Sequence, residues 1–134
     1  MQVFTDGACR GNPGPAAFAF IISSTTETRK AGYIGVATNN RAEYIAIIEA
    51  LRELKRIEYE DTVELFSDSE VVVRQLLGEY EVKNASLQSL WTTVMELSDK
   101  MILIPAYVPR THPMIKQCDA LCNQVLDAEK HRVW

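Results

Sequence analysis

Positive charge is in short supply in this sequence. Fourteen Lys and Arg stand against eighteen Asp and Glu, leaving a net charge of −4 and a pI near 5.2. A nucleic-acid binder usually presents a basic surface, so composition alone offers a polyanion partner no support. Cysteines are few as well: Cys9, Cys118 and Cys122 form an odd, sparse set that argues against a disulfide framework. No CxxC pair supports zinc. Cys118 and Cys122 lie four apart in a helical pattern with Leu121, Val125 and Leu126, and are read as core. No apolar run is long enough to span a bilayer. No basic segment leads into an apolar one at the N-terminus, so a signal peptide is not expected and the protein reads as cytoplasmic. Internal repeats, low-complexity tracts and linkers are also missing. What remains is an ordinary globular balance, 47% hydrophobic and 24% charged over 134 residues, sized for a single domain spanning 1–134.

The hydrophobic pattern gives an ordered set of elements. Residues 2–6 (QVFTD), 16–23 (AAFAFIIS) and 26–38 (TETRKAGYIGVAT) read as strands, the first two separated by Gly/Pro punctuation. Short separations predict an antiparallel meander. Residues 40–56 read as a helix that is apolar nearly all round, hence packed on more than one side. A fourth strand, 62–68, leads into a short helix, 69–78, stopped by Gly78. A helix over 84–100 starts at Asn84 or Ser86. A fifth strand, 101–109, carries Pro105 and should lie at an edge, and a last helix covers 116–130. The order βββ-α-β-α-α-β-α implies an α/β fold. Its sheet has three antiparallel strands and then two parallel ones, with helices on its faces.

Four carboxylates stand out against this frame. Asp6 closes the first predicted strand. Glu43 would sit at the third position of the helix if Asn40 caps it, the reciprocal place of a capping box. Its helical face, however, is Ala46, Ile47, Ala50 and Leu54, which points it toward the core edge, where an unpaired charge is costly. Asp68 ends the fourth strand, although Ser69 could cap the following helix alone. Asp119 lies near the start of the last helix, beside inward-facing Cys118 and Cys122. Each has an ordinary structural role available. Together they occupy two strand ends and two helix starts, places that can meet at one sheet edge. A carboxylate cluster does not stay ionised without cations, and hard divalent ions with oxygen ligands are the natural partners. Such ions suit phosphoryl transfer, and their charge would reverse the local field that the acidic composition sets up.

TDGACRGNPGPAA, TNNRAEY, SDSEVVVRQLLG and CDALCN, in this order, resemble ribonuclease H of type 1 over essentially the whole chain. The resemblance implies a ribonuclease H-like fold, a five-stranded mixed sheet flanked by helices. It implies an endonuclease that hydrolyses the RNA strand of RNA–DNA hybrids to 5′-phosphate and 3′-hydroxyl ends. Asp6, Glu43, Asp68 and Asp119 match the family's metal-binding and catalytic carboxylates. Two Mg2+ ions are implied at the scissile phosphate, one activating water and one stabilising the departing 3′ oxygen, with Mn2+ as the alternative metal. Gly7, Cys9, Asn12, Asn39, Asn40 and Arg41 match positions that touch the hybrid, and Glu43 is placed to contact metal and ribose 2′-hydroxyl together. Thr38 matches a threonine that helps hold a DNA-strand phosphate.

Some positions depart from the family's pattern. Glu70, counted by the resemblance among the substrate-binding positions, stands where many relatives have glutamine, and Val36 where some are basic. The basic helix that larger bacterial members insert is replaced by GEYEVKN, so weak hybrid affinity is expected. THPMIKQCD resembles the family's His-Pro segment, but three residues before its His-Pro, where the family's loop histidine lies, stands Pro109. This leaves His112 as the candidate loop general base, against a plain surface role before a helix-starting proline. Beyond the hybrid, no obligatory protein partner and no membrane are expected, and the chain is read as a monomer. The rival readings are a catalytically silent module that binds hybrid or double-stranded RNA, and an actin-like nucleotide phosphohydrolase, which needs two domains.

Overall fold

The computed structural model describes residues 1–130. Its strands are β1 (Gln2–Cys9), β2 (Gly14–Ser23), β3 (Glu27–Ala37), β4 (Thr62–Ser67) and β5 (Ile102–Tyr107). Its helices are α1 (Asn39–Arg56), α2 (Glu70–Leu76), α3 (Ala85–Leu97) and α4 (Pro113–Lys130). The sheet order is β3-β2-β1-β4-β5, with β1–β2 and β2–β3 antiparallel and β1–β4 and β4–β5 parallel. This is the expected α/β architecture of three antiparallel strands followed by two parallel ones.

Strands β1 and β2 are buried on both faces, which explains their near-continuous apolar sequence. Val3, Phe18, Phe20 and Ile22 face one core with Tyr44, Ile47, Leu51 and Leu54 of α1. Phe4, Ala17, Ala19 and Ile21 face a second core with Ile115, Cys118, Cys122 and Leu126 of α4. Both cysteines are therefore packing residues, as expected, and burial pushes the Cys118 thiol up to about 12. Helix α1 lies on β1 and β2 and is covered in turn by α3, so its apolar surface extends around most of its circumference. Pro105 lies on edge strand β5, where a missing N–H is tolerated.

Several boundaries differ from the sequence reading, and four of them concern a carboxylate. Strand β4 stops at Ser67, where its pairing with β5 ends, so Asp68 follows the strand. Strand β1 does not stop at Asp6. It continues to Cys9 because β2 keeps pairing with it, down to Cys9 opposite Ala16, and the Arg10 N–H closes the hairpin on the Pro15 carbonyl at 2.8 Å. Helix α1 is capped by Thr38, not Asn40: the Thr38 hydroxyl accepts the Arg41 N–H at 3.3 Å. Glu43 is thus the fifth helical residue and belongs to no capping box. Helix α4 begins at Pro113, one turn earlier than expected, because proline suits the first helical position and His112 caps it. Asp119 consequently sits in the second turn, away from the positive helix end.

Candidate active site

The pairing of β1 with β4 ends at Phe4 opposite Phe66. Extending that register sets Asp6 level with Asp68, the residue that follows β4. Asp6 lies within β1, past the end of its pairing with β4, and Asp68 lies just beyond the C-terminal end of β4, the side on which open α/β sheets place their ligands. Helix α1 delivers Glu43 to the same spot because Gly7 lets it come close. A Cβ at Gly7 would lie 2.3 Å from the Ala42 carbonyl carbon and 2.5 Å from the Glu43 nitrogen. The helix therefore rests directly on the β1 backbone, and the Gly7 N–H donates to the Glu43 carboxylate. The Ser67 hydroxyl donates to Glu43 Oε2 at 3.5 Å.

One oxygen from each of Asp6, Glu43 and Asp68 lies within 4.8 Å of the others. Asp6 is 5% and Glu43 7% exposed. Asp119 joins from α4, in hydrogen-bonding reach of Asp6, and lines the same cleft, whose volume is about 640 Å³. Loss of solvation, reinforced by the charges of Asp68 and Asp119, pushes the Asp6 carboxyl up to about 8. Burial first, then the charges of Asp6 and Asp68, holds Glu43 well above the usual carboxylate range. Burial also raises Asp68, against the pull of the nearby Arg110 guanidinium. The donor set is all carboxylate oxygen, converging and mutually repelled, and it fits hard divalent cations. At neutral pH such a group reaches full ionisation only with positive charge added to it.

The remaining residues singled out in the sequence fall into three places. Gly7, Cys9, Asn39 and Asn40 line the acidic cleft. Asn12, Thr38 and Arg41, with Asn39 and Asn40 again, line a second, polar cavity of about 580 Å³, shared with Asn84, Ser86 and Leu87. The two cavities meet along Asn39 and Asn40. A local network fixes this rim: Cys9 Sγ donates to Asn39 Oδ1 at 2.7 Å, and the Asn39 N–H donates to Asn12 Oδ1 at 3.0 Å. Arg41 is tied to the Ser86 hydroxyl. Glu70 lines neither cavity; Arg74 pairs with it at 2.9 Å along α2. His112 also stays out of the acidic cleft. Its Nδ1 accepts the Met114 N–H at 3.1 Å, and its ring stacks on Phe4 at 5.4 Å between centroids.

Sequence reasoning read Ser69, which lines the cleft, as a helix cap alone, and passed over Ser67, Arg110, Thr111 and Lys116, all of which touch or support the cleft. For Ser67 a signal existed. Val63, Leu65 and Ser67 share one face of β4, so a hydroxyl stands where the inward series would take an apolar residue. Arg110, Thr111 and Lys116 lie in and just after a loop whose path no periodicity predicts.

Fold and site together define a class: a mixed sheet ordered β3-β2-β1-β4-β5, with a largely buried carboxylate cluster where β1 and β4 part, beside a polar rim. The chain belongs to the ribonuclease H family, whose model (RNase H) matches residues 1–126. It is similar to ribonuclease HI of Halobacterium salinarum, with 36% identity over 134 residues, 95% of this chain and 64% of that protein. A bifunctional protein of Mycobacterium tuberculosis is 34% identical over 133 residues, 96% of this chain but 36% of that protein. The chain thus spans about one to two thirds of the length of these relatives. Among solved structures, LC11-RNase H1 in complex with RNA/DNA hybrid superposes with a TM-score of 0.90. It is 32% identical and covers 96% of this chain and 98% of that one. The likeness is to type 1 members of the family.

Proposed function

We infer that this chain is a metal-dependent endoribonuclease that cuts the RNA strand of RNA–DNA hybrids, leaving 5′-phosphate and 3′-hydroxyl ends. The observation that carries the reading is the convergence of Asp6, Glu43 and Asp68 within 4.8 Å, with Asp119 completing the cleft. Four acids crowded at one open edge give a protein nothing for binding a polyanion unless cations join them. The solved relative held on an RNA/DNA hybrid supports the substrate class.

In this reading Asp6, Glu43, Asp68 and Asp119 hold two Mg2+ ions, or Mn2+ in their place. Metal bound there supplies an acidified water and neutralises charge on the phosphate oxygens. The protein's own groups do the positioning. The Gly7 N–H and Ser67 hydroxyl orient Glu43. Asn39, Asn40 and Cys9 form the rail beside the scissile strand, where amide groups can read the ribose 2′-hydroxyl. Asn12, Thr38 and Arg41, around the second cavity, take a phosphate of the DNA strand. Arg110 and Lys116, on the opposite wall of the cleft, add the positive charge that the acidic composition otherwise withholds. Water adds to phosphorus, the bond to the 3′ oxygen breaks, and that oxygen leaves protonated. The domain acts as a monomer.

A labelled RNA–DNA hybrid incubated with the protein and Mg2+ or Mn2+ tests this. Internal RNA cuts are expected, abolished by Asp6→Asn or Asp68→Asn and by chelator. An intact hybrid with both metals rejects the enzyme and leaves a binding module.

A further inference from the structure

Asp6 and Glu43 are buried, and Asp68 is partly so, and packing holds them; Asp119 is exposed on α4 and has no such confinement. Its carboxylate is instead held from below along the helix. Asn123 Nδ2 donates to Asp119 Oδ2 at 3.2 Å and to the Asp119 carbonyl at 3.1 Å. Asn123 is held in turn by Arg10, which projects from the β1–β2 turn. Arg10 Nη2 donates to Asn123 Oδ1 at 3.3 Å, to the Asn123 carbonyl at 3.5 Å and to Asp127 Oδ1 at 2.6 Å. Asp119, Asn123 and Asp127 are four residues apart in series, so they stack along one face of α4. The chemistry of the chain of bonds has a direction. A guanidinium only donates, so the carbonyl end of the Asn123 amide must face Arg10, and its NH2 end is left for Asp119. Asp119 lines the cleft and lies in hydrogen-bonding reach of Asp6.

We propose that Arg10 and Asn123 are positioning residues, a relay from the Gly-rich turn that aims the Asp119 carboxylate for cation binding. The proposal rests on the reading of Asp119 as a metal-holding residue. It explains why the one exposed acid of the cluster is fixed, and it links the β1–β2 turn beside Cys9 to α4 through Asp127.

The test compares Asp119→Asn, Asn123→Ala, Arg10→Ala and the double variant. Mn2+ binding is measured calorimetrically without substrate, and kcat and KM are measured on hybrid. Asn123→Ala replaces an exposed helical residue with a better helix former, so folding is not endangered. It should weaken Mn2+ binding about tenfold, the lower end for groups that orient ligands, and lower kcat with KM for hybrid unchanged. Arg10→Ala should act in the same direction and more weakly. It should add nothing in the Asn123→Ala background, because both variants remove one relay. Arg10→Lys, which keeps the pair with Asp127, substitutes if the alanine variant unfolds. Unchanged Mn2+ binding and kcat in Asn123→Ala, with Asp119→Asn impaired, overturn the relay alone. An unimpaired Asp119→Asn overturns the reading beneath it. Additive effects, or a raised KM in Arg10→Ala, overturn the role of Arg10.

Discussion

Glu43 is the residue at which folding and chemistry compete most openly. It is 7% exposed, meets two other carboxylates, and takes hydrogen bonds from the Gly7 N–H and the Ser67 hydroxyl. Like charges confined this way cost stability that bound cations would restore. Glu43→Gln keeps the shape and removes the repulsion. In chelator at pH 8 its melting temperature should therefore equal or exceed that of the parent protein, while hybrid cutting falls at least about a hundredfold. A large drop in melting temperature would show that the charge serves the fold. His112 invites the opposite expectation. Its bond to the Met114 N–H and its stack on Phe4 make it part of the α4 start. His112→Ala should cost about 1 kcal/mol of stability through the lost cap. The pH profile of turnover should keep its shape; a changed profile would restore the proton acceptor.

At the scale of elements, the helix positions depend on two contacts that a sequence hides to different degrees. Thr38 caps α1, and Thr38→Ala should cost about 1 kcal/mol in denaturant unfolding. Gly7 sets how closely α1 approaches β1. Gly7→Ala would drive a methyl into the Ala42 carbonyl and should cost about 3 kcal/mol and displace Glu43 from the cleft, so activity should fall even in the folded fraction. The strand and helix order was legible because β1, β2 and α1 carry long, unambiguous apolar patterns. Ser69 and Asn84 do cap α2 and α3, but the cap of α1 was hidden, because Thr38, Asn39 and Asn40 are all competent capping residues in a row, and only the turn from β3 decides among them. The length of β1 was hidden for a related reason. Residues 7–9 gain their strand conformation from pairing with β2, not from their own propensity. The site acids were legible through their odd positions, whereas Arg110 and Lys116 were not, since a basic residue near a loop carries no pattern.

For the whole molecule, the three raised carboxyls make stability a function of pH and metal together. A carboxyl whose folded pKa exceeds its unfolded value binds its proton more tightly when folded, so its contribution is complete at low pH and disappears on deprotonation. Asp6 moves from an ordinary value of about 4 to about 8 on folding, and Glu43 and Asp68 move in the same direction. Stability of the metal-free protein should therefore fall steadily between about pH 4 and pH 8. Glu27 and Glu53, lowered by their bonds to Arg29 and Arg56, have the opposite sign, but their contribution is lost only below about pH 4. Cations that bind only the folded, ionised cluster would counter the fall, because ligand linkage stabilises the state that binds. Thermal melts in chelator should thus show a lower melting temperature at pH 8.5 than at pH 5. Adding Mg2+ should raise it far more at pH 8.5 than at pH 5, where protons already occupy the site. Asp6→Asn should flatten the metal-free slope and shrink the Mg2+ response in the same experiment. A slope that survives when Asp6→Asn, Glu43→Gln and Asp68→Asn are combined would place the pH dependence outside these carboxyls.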